Sequence, residues 1–463
     1  MEQDKRVMII IGAGVTGITA AYYFSKKKIP YIILEKSEKV GGVWSAQHWP
    51  GIRCDTDIIK YSFSFNPYLS DVSLIPGRDI SHYLDATAKK FGIYQHIRFG
   101  VEVKKLEFSS ADNEWTVSTN NGVYKSRFVF NANGYFADRP HRPAFKGEEV
   151  YQGKVVHLLD MDEAYPYQGK DIVLVGSGAS AISAAPQLCA ASNSMVLLQR
   201  SPSYIYEDDN RPGPFVRLAQ QAYRLGLGWP VKLVNYFLQL KDDLIFVGFH
   251  RFPAFGKWLF YRHWREVVGE EDVQKHFTPR YNPWEQRIPV AIGMKELVRN
   301  GRLKMLTGEI DRFTETGAKL VDGSLVDAEL FVLATGYDLQ LFKFDMYIDG
   351  EKMNLGGVNY YRAMVIGGVP NYFHPFGAPH TSWTRRMEAV SRLVARMIRY
   401  MENKGYKSIC LKRKHVDYNL KITPNYLMRN LQNIPVIYGV LELPSIDNIL
   451  FRFFRKGNFK FSK

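Results

Sequence analysis

Cysteine is scarce in this sequence, and nothing about its spacing is paired. Cys54, Cys189 and Cys410 are the whole complement of a 463-residue chain, and no two stand in a CxxC or CxxxxC arrangement. Three scattered thiols exclude a disulfide framework and a redox-active dithiol, and they suit a reducing compartment. Long apolar runs are missing too: no stretch of 18 or more apolar residues occurs, so no helix is expected to span a membrane. The start, MEQDKRVMIIIGAG, runs straight into a strand without the features of a secretory signal, so a cytoplasmic protein is expected. Acidic residues are outnumbered, 46 against 61 Lys and Arg, a net charge of +15. That surplus invites nucleic acid, an anionic membrane surface or phosphorylated cofactors. No nucleic-acid-reading motif is present, so nucleic acid is not an expected partner. No metal site is expected either.

What the chain does have is length for about three domain-sized units and an ordinary globular balance, 46% apolar and 23% charged. Aromatic residues reach 14%, which suits walls around planar cofactors or simply an aromatic core. Two stretches repeat one pattern. VMIIIGAGVTGITAAYYF (7–24) leads to YIILEK (31–36), and DIVLVGSGASAISAAPQL (171–188) leads to SMVLLQRS (194–201). Each reads as a buried strand, a glycine turn, a helix and a second strand. FVFNANGY (128–135) and ELFVLATGYD (329–338) read as further buried strands that end in glycine turns.

The fold expected is therefore α/β, with two interleaved Rossmann-like dinucleotide-binding domains. Residues 1–148 open the first domain and 365–463 return to it. Residues 149–205 and 285–364 build the second, and 206–284, rich in aromatic and basic residues at helical spacing, are a helical insertion.

Gly12, Gly14 and Gly17 form a GxGxxG turn. Its first glycine permits the tight bend, its second lets backbone approach a pyrophosphate, and its third lets helix and strand close up. Glu35, at the end of the following strand, is placed for an adenosine ribose hydroxyl. Gly41-Gly42-Val43-Trp44 extends this loop along a flavin, or is a plain β-turn. The second turn has Gly176, Gly178 and Ala181, an accepted variant. Arg200 and Ser201 replace the acid there, which suits the 2′-phosphate of NADPH, unless Arg200 is only a solvated arginine. The expected cofactors are FAD on the first turn and NADPH on the second. Asp55 reads equally as a turn-closing residue, His157 as a structural histidine, and Tyr281–Arg287 as a loop with a surface arginine.

Taken together these motifs resemble the class B flavin-dependent monooxygenases of the Baeyer–Villiger branch, and among them the thioamide-activating members. The segment Gly41 through Asp55 is similar to the family's GGxW…PGxxxD pattern. Tyr151, Gly153, His157 and Asp162 are similar to its histidine fingerprint, with Met161 where tryptophan is expected. The runs around Arg200, Arg287, Gly336, Trp383 and Pro424 match as well, so the resemblance covers nearly the whole chain. It implies that NADPH reduces FAD, that O₂ adds at the flavin C4a, and that one oxygen passes to a ketone carbonyl or to sulfur or nitrogen. It also implies that Arg287 is the catalytic cation and that Asp55 orients it through a bidentate pair. Met161 points away from ester formation and towards heteroatom oxygenation. Gln286, where many relatives have lysine, implies weaker NADPH binding. The implied substrate is a small ketone or organosulfur compound with O₂.

Three other classes compete: an N- or S-oxygenase that makes no esters, an NADPH–flavin reductase or oxidase, and a nucleotide sensor without turnover. Asp55 together with Arg287 argues against a sensor. Residues 451–463 add a separate expectation. Five cations (Arg452, Arg455, Lys456, Lys460, Lys463) and five phenylalanines, with no acid, offer peripheral contact with an anionic membrane at the inner face of the cell membrane. The alternative is that the phenylalanines pack on the first domain. Oligomeric state is not legible from the sequence.

Overall fold

The computed structural model describes residues 6–377, 382–412, 428–429, 431–438 and 456–463. In chain order, strand β1 (Arg6–Ile11), helix α1 (Val15–Lys26) and β2 (Tyr31–Leu34) come first. The meander β3 (Val103–Ser109), β4 (Glu114–Thr119) and β5 (Gly122–Asn131) follows, and β6 (Phe136–Pro140) leads out. The second domain has β7 (Lys154–His157), β8 (Asp171–Val175), α2 (Ala179–Ala191) and β9 (Ser194–Gln199). Four helices are inserted next: α3 (Pro214–Arg224), α4 (Trp229–Arg251), α5 (Pro253–Val268) and α6 (Glu270–Phe277). β10 (Leu303–Thr307) and β11 (Leu330–Leu333) complete this domain and β12 (Tyr337–Leu339) leads back. The first domain then gains β13 (Asp345–Ile348), β14 (Tyr372–Phe373), α7 (Trp383–Lys404), β15 (Ser408–Leu411) and β16 (Phe459–Ser462).

β1 is apolar from Val7 to Ile11 because it is covered on both faces. It pairs in parallel with β2 and with β5, and β14 lies parallel on β5. α1 rests on this sheet with α7 packed over it. α7 buries Met387, Val390, Val394, Met397 and Met401 at steps of three and four residues, each contributing roughly 1.5–3 kcal/mol over the exposed state. The second sheet is parallel, in the order β10-β9-β8-β11-β7. Helices joining parallel strands leave the glycine turns at one sheet edge, where α/β folds bind ligands.

The chain rejoins the first domain before residue 365, where the sequence placed the return. β13 already pairs in parallel with β3, Asp345 opposite Lys105 and Ile348 opposite Phe108. Residues 340–350, QLFKFDMYIDG, carry no composition shift that marks this crossing. The two crossing segments meet: β6 and β12 pair antiparallel, and the rings of Phe136 and Tyr337 stack at 4.3 Å. At the chain end, β16 pairs with β15, Phe459 is buried in the first core, and the Phe461 ring lies 4.9 Å from that of Tyr406. These two phenylalanines pack on the first domain, while Lys460 and Lys463 are exposed. Arg452 and Arg455 lie outside the described residues, as does the side chain of Lys456. Among the described residues no helix is long and apolar enough to cross a membrane.

Candidate active site

Each glycine turn is dictated by a close backbone approach. Gly12 has φ of +100°, and a Cβ there would lie 2.7 Å from the Ala132 carbonyl oxygen; Gly176 has φ of +132° and would meet the Ala334 carbonyl oxygen at 2.5 Å. L-residues pay steric strain in that region, so glycine is required at both. The third positions differ for a local reason. A Cβ on Gly17 would sit 1.9 Å from the Gly12 carbonyl oxygen, whereas Ala181 is accommodated fully buried in α2. Bare backbone is left at Gly14 and Gly178, the residues that precede α1 and α2. Unpaired amides and the helix dipole make both places receptive to phosphate.

Glu35 is buried and accepts hydrogen bonds from the Ala13 amide at 2.6 Å and the Ser37 amide at 2.8 Å. It therefore pins the first turn, and two amides use only part of a carboxylate's roughly four acceptor positions. Gly41 donates its amide to the Ala13 carbonyl, and a Cβ on Gly42 would lie 3.2 Å from the Gly14 Cα. The 41–44 segment is thus pressed onto the glycine turn, and Trp44 donates its indole N–H to the Tyr61 hydroxyl at 2.6 Å. At the first glycine turn a cavity is lined by Thr16, Asn131, Gly134, Tyr135, Phe376 and Trp383, with the Tyr135 and Trp383 rings stacked at 4.5 Å. Next to these residues, the Asn133 side chain has both amide atoms buried without a hydrogen-bond partner. Leaving such groups unmet costs about 1–3 kcal/mol each. Glycine-lined backbone, an unmet amide and aromatic walls fit a dinucleotide with a planar ring, as FAD is.

On the second turn, Gln199 is fully buried and donates to the His276 carbonyl at 2.6 Å, while Arg200 and Ser201 are exposed at the rim. The Ser177 hydroxyl is 2.8 Å from that of Ser203, which ties the glycine loop to this rim. An exposed guanidinium beside bare helix-terminal backbone fits a phosphorylated ribose, as in NADPH.

The seam between the domains is built from residues 47–55. Trp49 belongs to the first domain in sequence but is buried in the second domain's core with Leu158 and Ile182. A Cβ on Gly51 would lie 2.5 Å from the Ser183 carbonyl oxygen. Arg53 donates to the Val290 carbonyl at 2.8 Å and to the Ser183 hydroxyl at 3.3 Å, and burial holds its pKa below the usual guanidinium value. Gln47 accepts from both Trp49 and Tyr337. Here the structure brings together Asp55 and Arg287, 232 residues apart: the Arg287 Nη2 lies 2.6 Å from Oδ1 and 2.6 Å from Oδ2. One nitrogen reaches both oxygens of the carboxylate. Asp55 is largely buried and Arg287 partly open. Next to Asp55 in the chain, burial pushes the Cys54 thiol up to about 12, with the Asp55 carboxylate adding to it. That thiol stays protonated and is no nucleophile.

The histidine fingerprint has structural work. Tyr151 donates to the Ala328 carbonyl at 2.6 Å, and a Cβ on Gly153 would lie 2.3 Å from the Tyr151 hydroxyl. His157 caps a short turn through Nδ1, accepting from the Leu159 amide, and burial lowers its pKa to about 4. Asp162 accepts from the Ala164 amide at 3.0 Å. Met161 fills the second core beside Trp49, so its exchange for tryptophan alters packing. Sequence reasoning missed Arg53, Asn133 and the seam role of Trp49 and Gly51. Only Asn133 left a signal, a second amide three residues beyond the apolar run Phe128–Phe130.

Residues 9–214 match the family described as pyridine nucleotide-disulphide oxidoreductase; the three cysteines here are free. The chain is 32% identical, over 92% of its length and 90% of the relative's, to the FAD-containing monooxygenase EthA of Mycobacterium tuberculosis (strain ATCC 25618 / H37Rv). It is 28% identical, over 87% of its length and 82% of the relative's, to the probable FAD-binding monooxygenase AlmA of Acinetobacter baylyi. Among solved structures, an oxidized steroid monooxygenase bound to NADP superposes with a TM-score of 0.81 at 22% identity, covering 99% of this chain and 100% of that one. A cyclohexanone monooxygenase in an open form gives 0.78 at 19%, covering 99% of each.

Proposed function

Since the chain belongs to the FAD-containing monooxygenases, we propose that it uses NADPH and O₂ to place one oxygen atom in a ketone, as in the Baeyer–Villiger reaction, or on the sulfur of a thioether or thioamide. The observation that carries this reading is the Arg287–Asp55 pair, set at the seam between two glycine turns that each fit a dinucleotide. The balance is simple: substrate, O₂, NADPH and one proton give oxygenated substrate, NADP⁺ and water. Bound FAD supplies the transfer of two electrons from NADPH to O₂.

The protein's own residues then have assignable roles. Gly12, Gly14 and Gly17, with Glu35 pinning the turn and Gly42 and Trp44 closing over it, hold the FAD. Gly176, Gly178 and Ala181 receive the NADPH pyrophosphate, and Arg200 and Ser201 receive its 2′-phosphate. Arg287 is a permanent cation, since a guanidinium stays protonated even where water is excluded. It stabilises negative charge that develops on oxygen during transfer, and a preorganised donor of this kind acts without reorganising. Asp55 fixes its position. Because Met161 serves packing, its presence leaves ketone and sulfur chemistry equally open to the same cation.

The test is direct. The purified holoenzyme is incubated with NADPH, O₂ and either phenylacetone or a simple thioether. Ester or sulfoxide formed in step with NADPH consumption supports the proposal. Stoichiometric H₂O₂ without oxygenated product makes the protein an NADPH oxidase and overturns it.

A further inference from the structure

The helical insertion carries a broad apolar outer face. Helices α3, α4 and α5 pack in succession and turn large apolar side chains to solvent: Leu225 is 81% exposed, Phe215 78% and Trp229 64%, with Phe237, Leu244 and Trp258 also exposed. α4 shows this most clearly. Its buried stripe holds Asn235, Gln239 and Asp243, every fourth residue, and Asn235 Oδ1 and Gln239 Nε2 are buried without a hydrogen-bond partner. A helix that faces water carries the opposite distribution. An exposed apolar area of this extent marks a surface that something covers.

Charge says what covers it. Residues 214–268 hold eight cationic against three acidic side chains. Lys232 and Lys241 stand on the outward side of α4 among the apolar residues. The Arg262 guanidinium lies 5.6 Å from the Trp258 ring centre, and that of Arg251 5.7 Å from Phe252. A second copy of this face would set cation against cation. Anionic lipid neutralises the cations while its acyl boundary takes the rings, the division of labour of an interfacial helix.

We propose that the outward face of α3, α4 and α5 docks on an anionic membrane surface. The docking face is joined to the site: Lys60, five residues after Asp55, pairs with Asp242 on α4 at 2.7 Å. The inference is independent of the monooxygenase reading, since it rests on exposed residues outside the catalytic seam.

Co-sedimentation of the holoenzyme with phosphatidylcholine vesicles, with and without phosphatidylglycerol, at low and high salt, tests it. The protein is expected to pellet with the phosphatidylglycerol vesicles only, and less so at high salt. The combined variant F215S/W229S/F237S/W258S is expected to lose about tenfold or more in partitioning, while keeping its flavin absorbance and NADPH oxidation. R452A/R455A, in the C-terminal tail, is expected to pellet like the native protein. A native protein that stays in the supernatant overturns the proposal, as does a quadruple variant that pellets unchanged. So does loss of pelleting in the tail variant alone. A discrete oligomer that the quadruple variant dissociates, with no vesicle binding, assigns the face to a second copy and also overturns it.

Discussion

In the proposed reaction Arg287 and Arg200 carry the same charge to opposite ends of one cofactor path, and their surroundings separate the effects of removing them. Arg287→Ala takes a cation from the site where charge develops, so oxygenation is expected to fall by about 3 kcal/mol of transition-state stabilisation or more. Arg287→Lys is expected to fail largely as well, because an ammonium is a compact point charge on a shorter stem and would stand displaced from the place the guanidinium occupies. Both variants should retain FAD, and product formation against flavin content checks this. Arg200→Ala removes one charged contact to the 2′-phosphate, a loss of about 1.5–3 kcal/mol. The KM for NADPH should rise accordingly and that for NADH stay nearly constant. His374 makes a different prediction. Burial lowers its pKa to about 3, so it stays neutral in the folded protein while the unfolded chain protonates near 6.5. Stability is therefore unaffected above pH 6.5 and lost as pH falls towards 3. Between pH 7 and 5 the cost is about 1–2 kcal/mol. Urea midpoints over that range should decline less in His374→Leu than in the native protein. At this scale the sequence shows the glycine turns well, because each requirement is local. It hides Arg53, whose partners at Ser183 and Val290 lie 130 and 237 residues away.

Among elements, the strands and first helices of both βαβ units were legible from their apolar runs, and the structure adds which surfaces they cover. The 47–55 loop was legible only through resemblance. Nothing in WPGIRCD says that a tryptophan will leave its own domain, since burial in a distant core has no local pattern. Gly51 is its tightest point, with φ of +83° and Ser183 backbone where a Cβ would stand. Gly51→Val is expected to destabilise the fold by roughly 1–3 kcal/mol and to loosen the seam. NADPH oxidation should then outrun oxygenated product, which parallel assays of H₂O₂ and product measure. For α4 the helical period was clear, but periodicity alone does not say which stripe faces inward.

At the scale of the whole molecule, the interleaving was legible from two glycine turns within one uninterrupted chain, although the return point was not. The late segments are structural parts of the first domain: β13 extends its sheet at β3, β14 pairs with β5, and α7 covers α1. A chain ending after Leu339 keeps both glycine turns yet leaves that apolar surface bare. It is expected to be insoluble or to bind no FAD, as soluble yield and flavin absorbance will show. Soluble, yellow protein from residues 1–339 would mean that the first core is complete without them.

Trp49 has a mechanical consequence. Three passages of backbone meet around it: the outgoing β6, the returning β12, and the loop whose own residues, Gln47 to Arg53, are fastened to both domains. A structure pinned at one place turns about that place. Any relative rotation of the two lobes would sweep distant parts, such as the Arg200 rim and the far ends of the inserted helices, through longer arcs than Asp55 and Arg287 beside the axle. A swinging arm of this kind would carry the nicotinamide nucleotide in and out without unmaking the ion pair on which the proposed oxygen transfer rests.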